Sequence, residues 1–332
     1  MKHANVAIFV PLNGCPHQCS FCNQKSITGQ QTQPTPQDVL SAIQVAMSSL
    51  HAQTKGAEIA FFGGSFTAIE HNYMCALLNA AAPFVKDKTF AGIRISTRPD
   101  AIDDEILTLL KQYGVTSIEL GAQSMNDSVL ALNQRGHTAE QVRVASKLIK
   151  SYDFSLGLQM MTGLYGDTAN GAKDTAKQLA VLQPSTVRIY PTITMTGTDL
   201  AQKYSSGNYQ PMPLDEAVVL CSELLDFFEQ QQITVIRLGL HSTPELQRDM
   251  LAGPWHPAFR ELCESYRIFN RILAACQKQK IPQGEMTVHV SPACISKAIG
   301  QGKSNLTKLH KLGYQAKVKP DVTLNDLEFY ID

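Results

Sequence analysis

Two kinds of segment alternate along the first 240 positions of the chain. Apolar, β-branched runs that end in Gly, Pro or Ser occur at VAIFVPL (6–12), EIAFFGG (58–64), GIRISTRP (92–99), SIELGAQS (117–124), FSLGLQMMTG (154–163) and TVRIYPT (186–192). Continuous apolar runs of this length, without a solvent-facing alternation, predict strands buried in a parallel sheet. Between them lie TPQDVLSAIQVAMSSL, PDAIDDEILTLLKQYG and HTAEQVRVASKLIKS, which have helical spacing and N-cap residues at their starts. The order predicts a parallel sheet whose crossovers are helices, either an open doubly wound sheet or a barrel of βα units, with fewer units than a closed barrel needs. A further helix, PLDEAVVLCSELLDFFEQQ, and a strand, ITVIRLGLH, close this part near residue 241.

In each unit the polar or glycine-rich signature follows the strand: GCPHQCSFC, GGSF, STRPD, AQS, MTG and YPT. The carboxyl ends of strands in such sheets share one rim, where these folds build active sites, so the pattern predicts a single site on that rim. From Ser242 the pattern changes. HSTPELQRDMLAGPWHP reads as loop, and the helix ELCESYRIFNRILAACQKQ has Leu262, Tyr266, Phe269, Leu273 and Cys276 on its predicted apolar face. A strand TVHVSP, a helix ACISKAIG, a QGKS turn, a helix NLTKLHKLG and a strand YQAKVKP follow. The predicted domains are therefore residues 1–241 and 242–332.

Composition changes this picture in three places. The 29 basic and 29 acidic residues cancel over the whole chain, which excludes a global field that would hold it to nucleic acid or an anionic membrane. The balance conceals a basic carboxy-terminal module: between residues 278 and 320 eight lysines face one acid, Glu285. No apolar run approaches a membrane span. The eight cysteines are too few for a disulfide scaffold, and five of them (Cys75, Cys221, Cys263, Cys276, Cys294) stand singly in apolar or helical contexts, as expected of core thiols in a reducing cytoplasm. Cys15 at the end of LNGC imitates a lipoprotein signal, but Pro11 interrupts the short apolar stretch and two more cysteines follow at once.

Cys15, Cys19 and Cys22 form C-x3-C-x2-C directly after the first strand. Tetrahedral zinc takes four protein ligands, usually as two separated pairs, and the chain has no second C-x2-C. Three thiolates suit a 4Fe-4S cubane with one iron left open to an exogenous ligand. This spacing, with Phe21 before the last cysteine, resembles the radical S-adenosylmethionine superfamily. The resemblance implies that the open iron chelates S-adenosylmethionine, and that one electron, from a donor such as flavodoxin or ferredoxin, cleaves it to methionine and a 5'-deoxyadenosyl radical. It also implies that Gly63, Gly64 and Ser65 bind the methionine amino group. Taken alone, GGS is as well explained by a tight turn.

The runs IRISTRPD, IELGAQSMNDSVLALNQRGHT, LQMMTGLYGDT and VRIYPTITMTGTDL resemble the radical domain of the Elongator catalytic subunit, a relative of the oxygen-independent coproporphyrinogen oxidases, over roughly residues 5 to 240. The resemblance places Ser96 at the S-adenosylmethionine ribose, and Gln123, Arg135 and Gln159 at its amino-acid and adenosine flanks. Arg135 has the planar guanidinium that pairs bidentately with a carboxylate. Ser96 and Gln159 stand where acids are common in relatives, so their contacts are expected to be neutral hydrogen bonds. Tyr190, past the sixth strand, either faces substrate or packs. The Elongator subunit carries an acetyltransferase domain after its radical domain, and no acetyl-coenzyme A motif is read in the last 90 or so residues here. Carboxymethylation of wobble uridine is therefore not carried over.

In the basic module the order strand, helix, Gly300-Gln301-Gly302-Lys303, helix, strand resembles a KH-type fold, whose GXXG loop clamps nucleotides. Lys303 replaces the second loop glycine, and the bland alternative is a solvated basic face on an α/β cap. The sequence is thus read as an α/β protein: a partial (β/α)6 TIM-like barrel carrying a 4Fe-4S and S-adenosylmethionine site, with a small KH-like α+β module. Cys15, Cys19, Cys22 and Tyr190 are the catalytic candidates, with Phe21, Gly63, Gly64, Ser65, Ser96, Gln123, Arg135 and Gln159 at the cofactors. Gly300, Gly302, Lys303 and Lys308 are the candidates for RNA, either transfer or ribosomal. Two other functions fit the same residues: a radical enzyme for a small molecule or tetrapyrrole, and a non-catalytic iron-sulfur RNA-binding redox sensor.

Overall fold

The computed structural model describes residues 4–11, 18–23 and 32–332. Cys15 and the rest of 12–17 lie outside the described residues. The contacts divide the chain into two compact units, Met1–Pro213 with Phe227–Trp255, and Leu214–Asp226 with His256–Asp332.

The first unit is built on seven parallel strands. They are β1 (Ala4–Val10), β2 (Ala57–Gly63), β3 (Gly92–Thr97), β4 (Val115–Gln123), β5 (Ser155–Thr162), β6 (Thr186–Pro191) and, beyond the two-residue β7 (Thr194–Met195), β8 (Thr234–Leu238). The sheet order β1-β2-β3-β4-β5-β6-β8 follows the chain, and every pair is parallel. This is the partial TIM barrel of the sequence reading, with the closing strand at 234–238 joining the sheet as its seventh member rather than leaving six. Helices cross between strands: α1 (Pro36–Leu50), α2 (His71–Lys86), α3 (Asp104–Gln112), α4 (Asp127–Leu132), α5 (Ala139–Ser151), α6 (Ala169–Val181) and α7 (Asp199–Ser205); α8 (Leu214–Gln230) precedes β8, and its residues up to Asp226 belong to the second unit. Their starts follow from local chemistry. Thr35 and Thr138 each accept from the backbone N–H three residues on, while Asp38 and Gln141 reach back to the cap, which meets donors that a helix start otherwise leaves unpaired.

One face of the sheet is apolar and packs under the helices, with Ile59, Phe61, Ile93, Ile95, Ile118, Leu120, Leu156, Leu158, Val187 and Ile189 all buried. Because strand side chains alternate, the charged residues within β2, β3, β4 and β6 project to the other face. They form a buried ionic chain. Arg94 lies 2.6 Å from Glu58 and 3.1 Å from Glu119, and Arg188 lies 2.6 Å from Glu119. Arg188 also sits over the Phe62 ring, 4.6 Å from its centroid.

The stretch 241–257, read as loop, contains the short helix α9 (Pro244–Asp249) and β9 (Met250–Ala252), which pairs antiparallel with β7. In the second unit, α10 (Phe259–Lys278) is followed by β10 (Gly284–Val290), α11 (Ile295–Ile299), α12 (Ser304–Lys311), β11 (Tyr314–Pro320) and β12 (Phe329–Ile331). The sequence order strand, helix, helix, strand is present, with β10 and β11 parallel, and β12 adds an unforeseen antiparallel strand. The buried face of α10 differs from the expected one. Phe269 and Cys276 are buried and Leu273 packs partly buried against the same core, but their other companions are Cys263, Ile268 and Ile272 rather than Leu262 and Tyr266. Of the five single cysteines, Cys221, Cys263, Cys276 and Cys294 are buried, whereas Cys75 is half-exposed on α2.

Candidate functional site

The described part of the cysteine segment, residues 18–23, contains no helix or strand, so its backbone groups need partners from elsewhere. Ser20 donates its backbone N–H to the Asn133 carbonyl at 3.1 Å and its hydroxyl to Asn133 Oδ1 at 2.9 Å. Leu200 donates to the Ser20 carbonyl at 2.8 Å, and Asn23 donates its side-chain amide to the Thr196 carbonyl at 3.0 Å. Within the loop, Cys22 N–H donates to the Cys19 carbonyl at 3.1 Å. Cys19 is buried, Phe21 and Cys22 are half-buried, and neither thiol is in a disulfide.

Arg135 meets Cys19 directly. Its Nη1 donates to Cys19 Sγ at 3.1 Å, and its Nη2 donates to the Gly121 carbonyl at 2.7 Å. The turn that aims it has left-handed backbone at Gln134 and Gly136, and Arg98 donates to the Arg135 carbonyl at 2.6 Å while pairing with Asp100. Gln123 approaches from β4, where the register shifts against β5 and Gln123 itself adopts a φ of 65°. A Cβ at Gly121 would come within 3.0 Å of Gln123 Nε2 and 3.3 Å of Arg135 Nη2, so the absence of a side chain there leaves room for both. Arg135 Nε and Gln123 Oε1 are buried without a hydrogen-bond partner. Buried polar atoms are rarely left so, and these two, one donor and one acceptor, are open to a ligand.

His137 follows in the same turn and is missed by the sequence reading. Its Nε2 lies 3.2 Å from the Ala122 carbonyl, and burial, with the nearby Arg135 charge, pushes its pKa down to about 4. The imidazole is neutral at neutral pH, which limits the positive charge around Arg135.

Gly63 has a φ of 117°, and a Cβ there would stand 2.7 Å from the Val10 carbonyl oxygen, so only glycine fits beside β1. Gly64 donates its N–H to that same oxygen at 2.9 Å. The Ser65 hydroxyl is engaged with Thr97 Oγ1 at 2.9 Å and accepts from Arg98 N–H at 3.2 Å, so its hydrogen bonds serve to join the β2 and β3 ends. Ser96 and Gln159 come together on one carboxylate: Gln159 Nε2 donates to Ser96 Oγ at 3.3 Å and to Glu119 at 3.0 Å, and Ser96 Oγ donates to Glu119 at 3.5 Å. Glu119 is thus the acid that organises this flank, and the sequence reading missed it. The available signal was one charge of alternating sign in the middle of successive apolar strands, Glu58, Arg94, Glu119 and, on β6, Arg188. Tyr190 is half-buried beside Arg188; burial disfavours the guanidinium charge, but Tyr190 and Glu119 outweigh it and raise the Arg188 pKa.

In the second unit, Gly300, Gly302 and Lys303 all have positive φ, and Lys303 N–H donates to the Gly300 carbonyl at 2.9 Å. Lys303 therefore adopts the left-handed conformation that favours glycine. Lys297 is ion-paired to Glu264 at 2.6 Å, and Lys308, though exposed, holds its ammonium 5.4 Å from the Phe269 ring centroid.

A parallel half-barrel with cysteines in its first loop defines a class, and comparison with known proteins agrees. Residues 9–179 match the radical SAM superfamily, and residues 184–267 match the radical SAM C-terminal domain. The chain belongs to the radical SAM superfamily of enzymes. It is 27% identical over 243 residues to a tRNA uridine(34) acetyltransferase of Dehalococcoides mccartyi, covering 63% of this chain and 52% of that one. It is 30% identical over 140 residues to human Elongator complex protein 3, covering 40% of this chain and 25% of that one. The structure of the archaeal Methanocaldococcus infernus Elp3 with an N-terminal deletion aligns over 85% of this chain and 64% of that one, with a TM-score of 0.62 and 20% identity. The chain spans about half the length of the first of these relatives, and a quarter of the human one.

Membership implies a 4Fe-4S cluster and S-adenosylmethionine. The described residues fit both: Cys19 and Cys22 supply thiols, and the unpartnered Arg135 Nε and Gln123 Oε1 match a carboxylate and a donor group. Among the described residues no helix is long and apolar enough to cross a membrane.

Proposed function

We propose that this chain is a radical S-adenosylmethionine enzyme that modifies a nucleotide in RNA, with transfer RNA preferred over ribosomal RNA because relatives are named for action on tRNA uridine 34. Cys15, Cys19 and Cys22 hold the cluster, which when bound and reduced by a one-electron donor cleaves S-adenosylmethionine to a 5'-deoxyadenosyl radical. Arg135 pairs through Nε with the methionine carboxylate, and Gln123 Oε1 accepts from the cofactor. The backbone at Gly63 and Gly64 lets the cofactor approach the sheet end, while Ser96, oriented by Glu119, faces its ribose and Gln159, on the same carboxylate, its adjoining flank. Tyr190 stands at the substrate side. The observation that carries this reading is the convergence of Arg135, Gln123 and Cys19 with two buried polar atoms unpartnered.

The test is anaerobic reconstitution with iron and sulfide, followed by dithionite and S-adenosylmethionine. Methionine and 5'-deoxyadenosine are expected; their absence from protein that carries the cluster removes the enzymatic reading and favours the redox sensor. For the substrate, mass spectrometry of tRNA nucleosides from a deletion strain is expected to show a missing modification, and an unchanged profile for both tRNA and rRNA favours the small-molecule alternative. The basic loop contributes through Lys303. Lys303→Glu is expected to weaken tRNA affinity and flatten its dependence on salt, and unchanged affinity removes the loop from the RNA-binding surface.

A further inference from the structure

Arg135 is bonded on two sides at once. Nη1 reaches the sulfur of Cys19 and Nη2 reaches the Gly121 carbonyl, so two protein groups fix the guanidinium plane. Among the buried arginines of the described residues, Arg94, Arg98, Arg188 and Arg267 each pair with a carboxylate, whereas Arg135 has a thiol where the others have an acid. A buried cation needs a compensating anion, and here the protein-supplied candidate is the Cys19 sulfur.

We propose that Arg135 is a redox-positioning residue, whose Nη1–H···Sγ bond to Cys19 stabilises the reduced form of the cluster and raises its potential independently of S-adenosylmethionine. The inference rests on the reading of Cys19 as a cluster ligand. The physical basis is that one-electron reduction makes the cluster and its thiolates more negative, so a charge-assisted donor at a ligand sulfur binds the reduced form more strongly. The work is divided within one side chain. Nη1 acts on the cluster through sulfur, Nη2 anchors to β4, and the unpartnered Nε remains for the cofactor carboxylate. Gly121 permits this arrangement, since a Cβ there would press on Nη2.

The test is a potentiometric titration of the reconstituted protein, followed by electron paramagnetic resonance, without S-adenosylmethionine. Loss of a charge-assisted hydrogen bond corresponds to roughly a tenfold change in the reduction equilibrium, or about 59 mV for one electron. Arg135→Met is expected to move the midpoint negative by about that much. Arg135→Lys keeps the charge but cannot bond Gly121 and Cys19 as a fixed fork, and is expected to move it in the same direction by less. The midpoint is read on whatever fraction carries the cluster, so partial loading does not obscure it, and if Arg135→Met holds none, Arg135→Lys decides. A wild-type midpoint in the variant so measured overturns the proposal. If wild-type protein forms no 4Fe-4S cluster, or Cys19→Ala retains the wild-type signal, the ligand reading has failed first, and that failure is seen without any Arg135 variant.

Discussion

Glu119 provides the sharpest test of how the half-barrel is held together. Its carboxylate is 1% exposed and receives two bonds from Arg188, at 2.6 and 2.9 Å, one from Arg94 at 3.1 Å and one from Gln159 at 3.0 Å. Glu119→Gln preserves the shape but removes the charge. Arg94 keeps Glu58 as its anion, whereas Arg188 keeps none among the carboxylates of this chain of ion pairs. Removing one partner of a buried pair costs about 3 to 5 kcal/mol, a large fraction of the roughly 5 to 15 kcal/mol that holds a folded domain. Arg188→Met is expected to cost less, because Glu119 retains Arg94 and Gln159. The double variant is expected to cost less than the sum of the singles, since it removes the stranded guanidinium along with its anion. The assay is urea unfolding followed by tryptophan fluorescence. The chain has one tryptophan, Trp255, which packs against Ile193, Met195 and Leu246 in the half-barrel unit, so the signal reports on that unit. A cost below about 1 kcal/mol for Glu119→Gln, or strict additivity of the two single variants, would refute the claim that charge pairing rather than shape governs this face.

Three other outcomes follow from the geometry. His137 has a folded pKa of about 4 against 6.5 unperturbed, so the unfolded chain takes up its proton first; the stability it contributes is full above about pH 6.5 and is lost as the pH falls toward 4. Between pH 7 and pH 5 the wild type is expected to lose roughly 2 kcal/mol more than His137→Gln in urea unfolding, and equal losses would contradict a buried neutral imidazole. Gly63→Ala places a methyl 2.7 Å from the Val10 carbonyl oxygen in a left-handed conformation, and is expected to displace the end of β1 and reduce S-adenosylmethionine affinity at least tenfold, or about 1.4 kcal/mol, by equilibrium dialysis. Wild-type affinity would show that the glycine serves the turn alone. Asn133→Ala removes the side-chain partner of Ser20 and is expected to lower the iron retained after desalting, whereas full retention would mean that the cysteine loop holds itself.

The sheet was legible because its strands are largely apolar runs, each followed by a polar rim signature. The ionic chain across its other face was not, since Glu58, Arg94, Glu119 and Arg188 each look like an isolated exception until parallel registration sets them side by side. The same physics misdirected the reading of α10. Its buried face includes Ser265, to which Asn305 donates at 2.9 Å, and Arg267, paired with Asp226 at 2.6 Å. A count of apolar positions alone therefore turns the helix toward Leu262 and Tyr266. Cys75 failed the opposite way: its type predicts burial, but Met74, Leu77, Leu78 and Ala81 already occupy the inward face of α2. The strand β12 is three residues long and carries too little pattern to be read at all.

The cysteine loop shows why motifs far apart in sequence belong to one site. A loop that presents thiols cannot use a helix or sheet ladder to satisfy its own backbone, so its N–H and C=O groups must be met by fixed groups elsewhere. Ser20 is met by Asn133 on one side and Leu200 on the other, and the Asn133 amide is itself pinned by the carbonyls of Val129 at 2.8 Å and Tyr165 at 2.9 Å. NQRGHT thus has two roles within three residues: Asn133 clamps the loop, and Arg135 contacts the sulfur it presents. TMTGTDL closes the opposite side through Thr196 and Leu200. These elements also carry the resemblance to the Elongator subunit, so that resemblance has a physical content. It marks the way the cysteine loop is held, a property separable from what the enzyme does to its substrate.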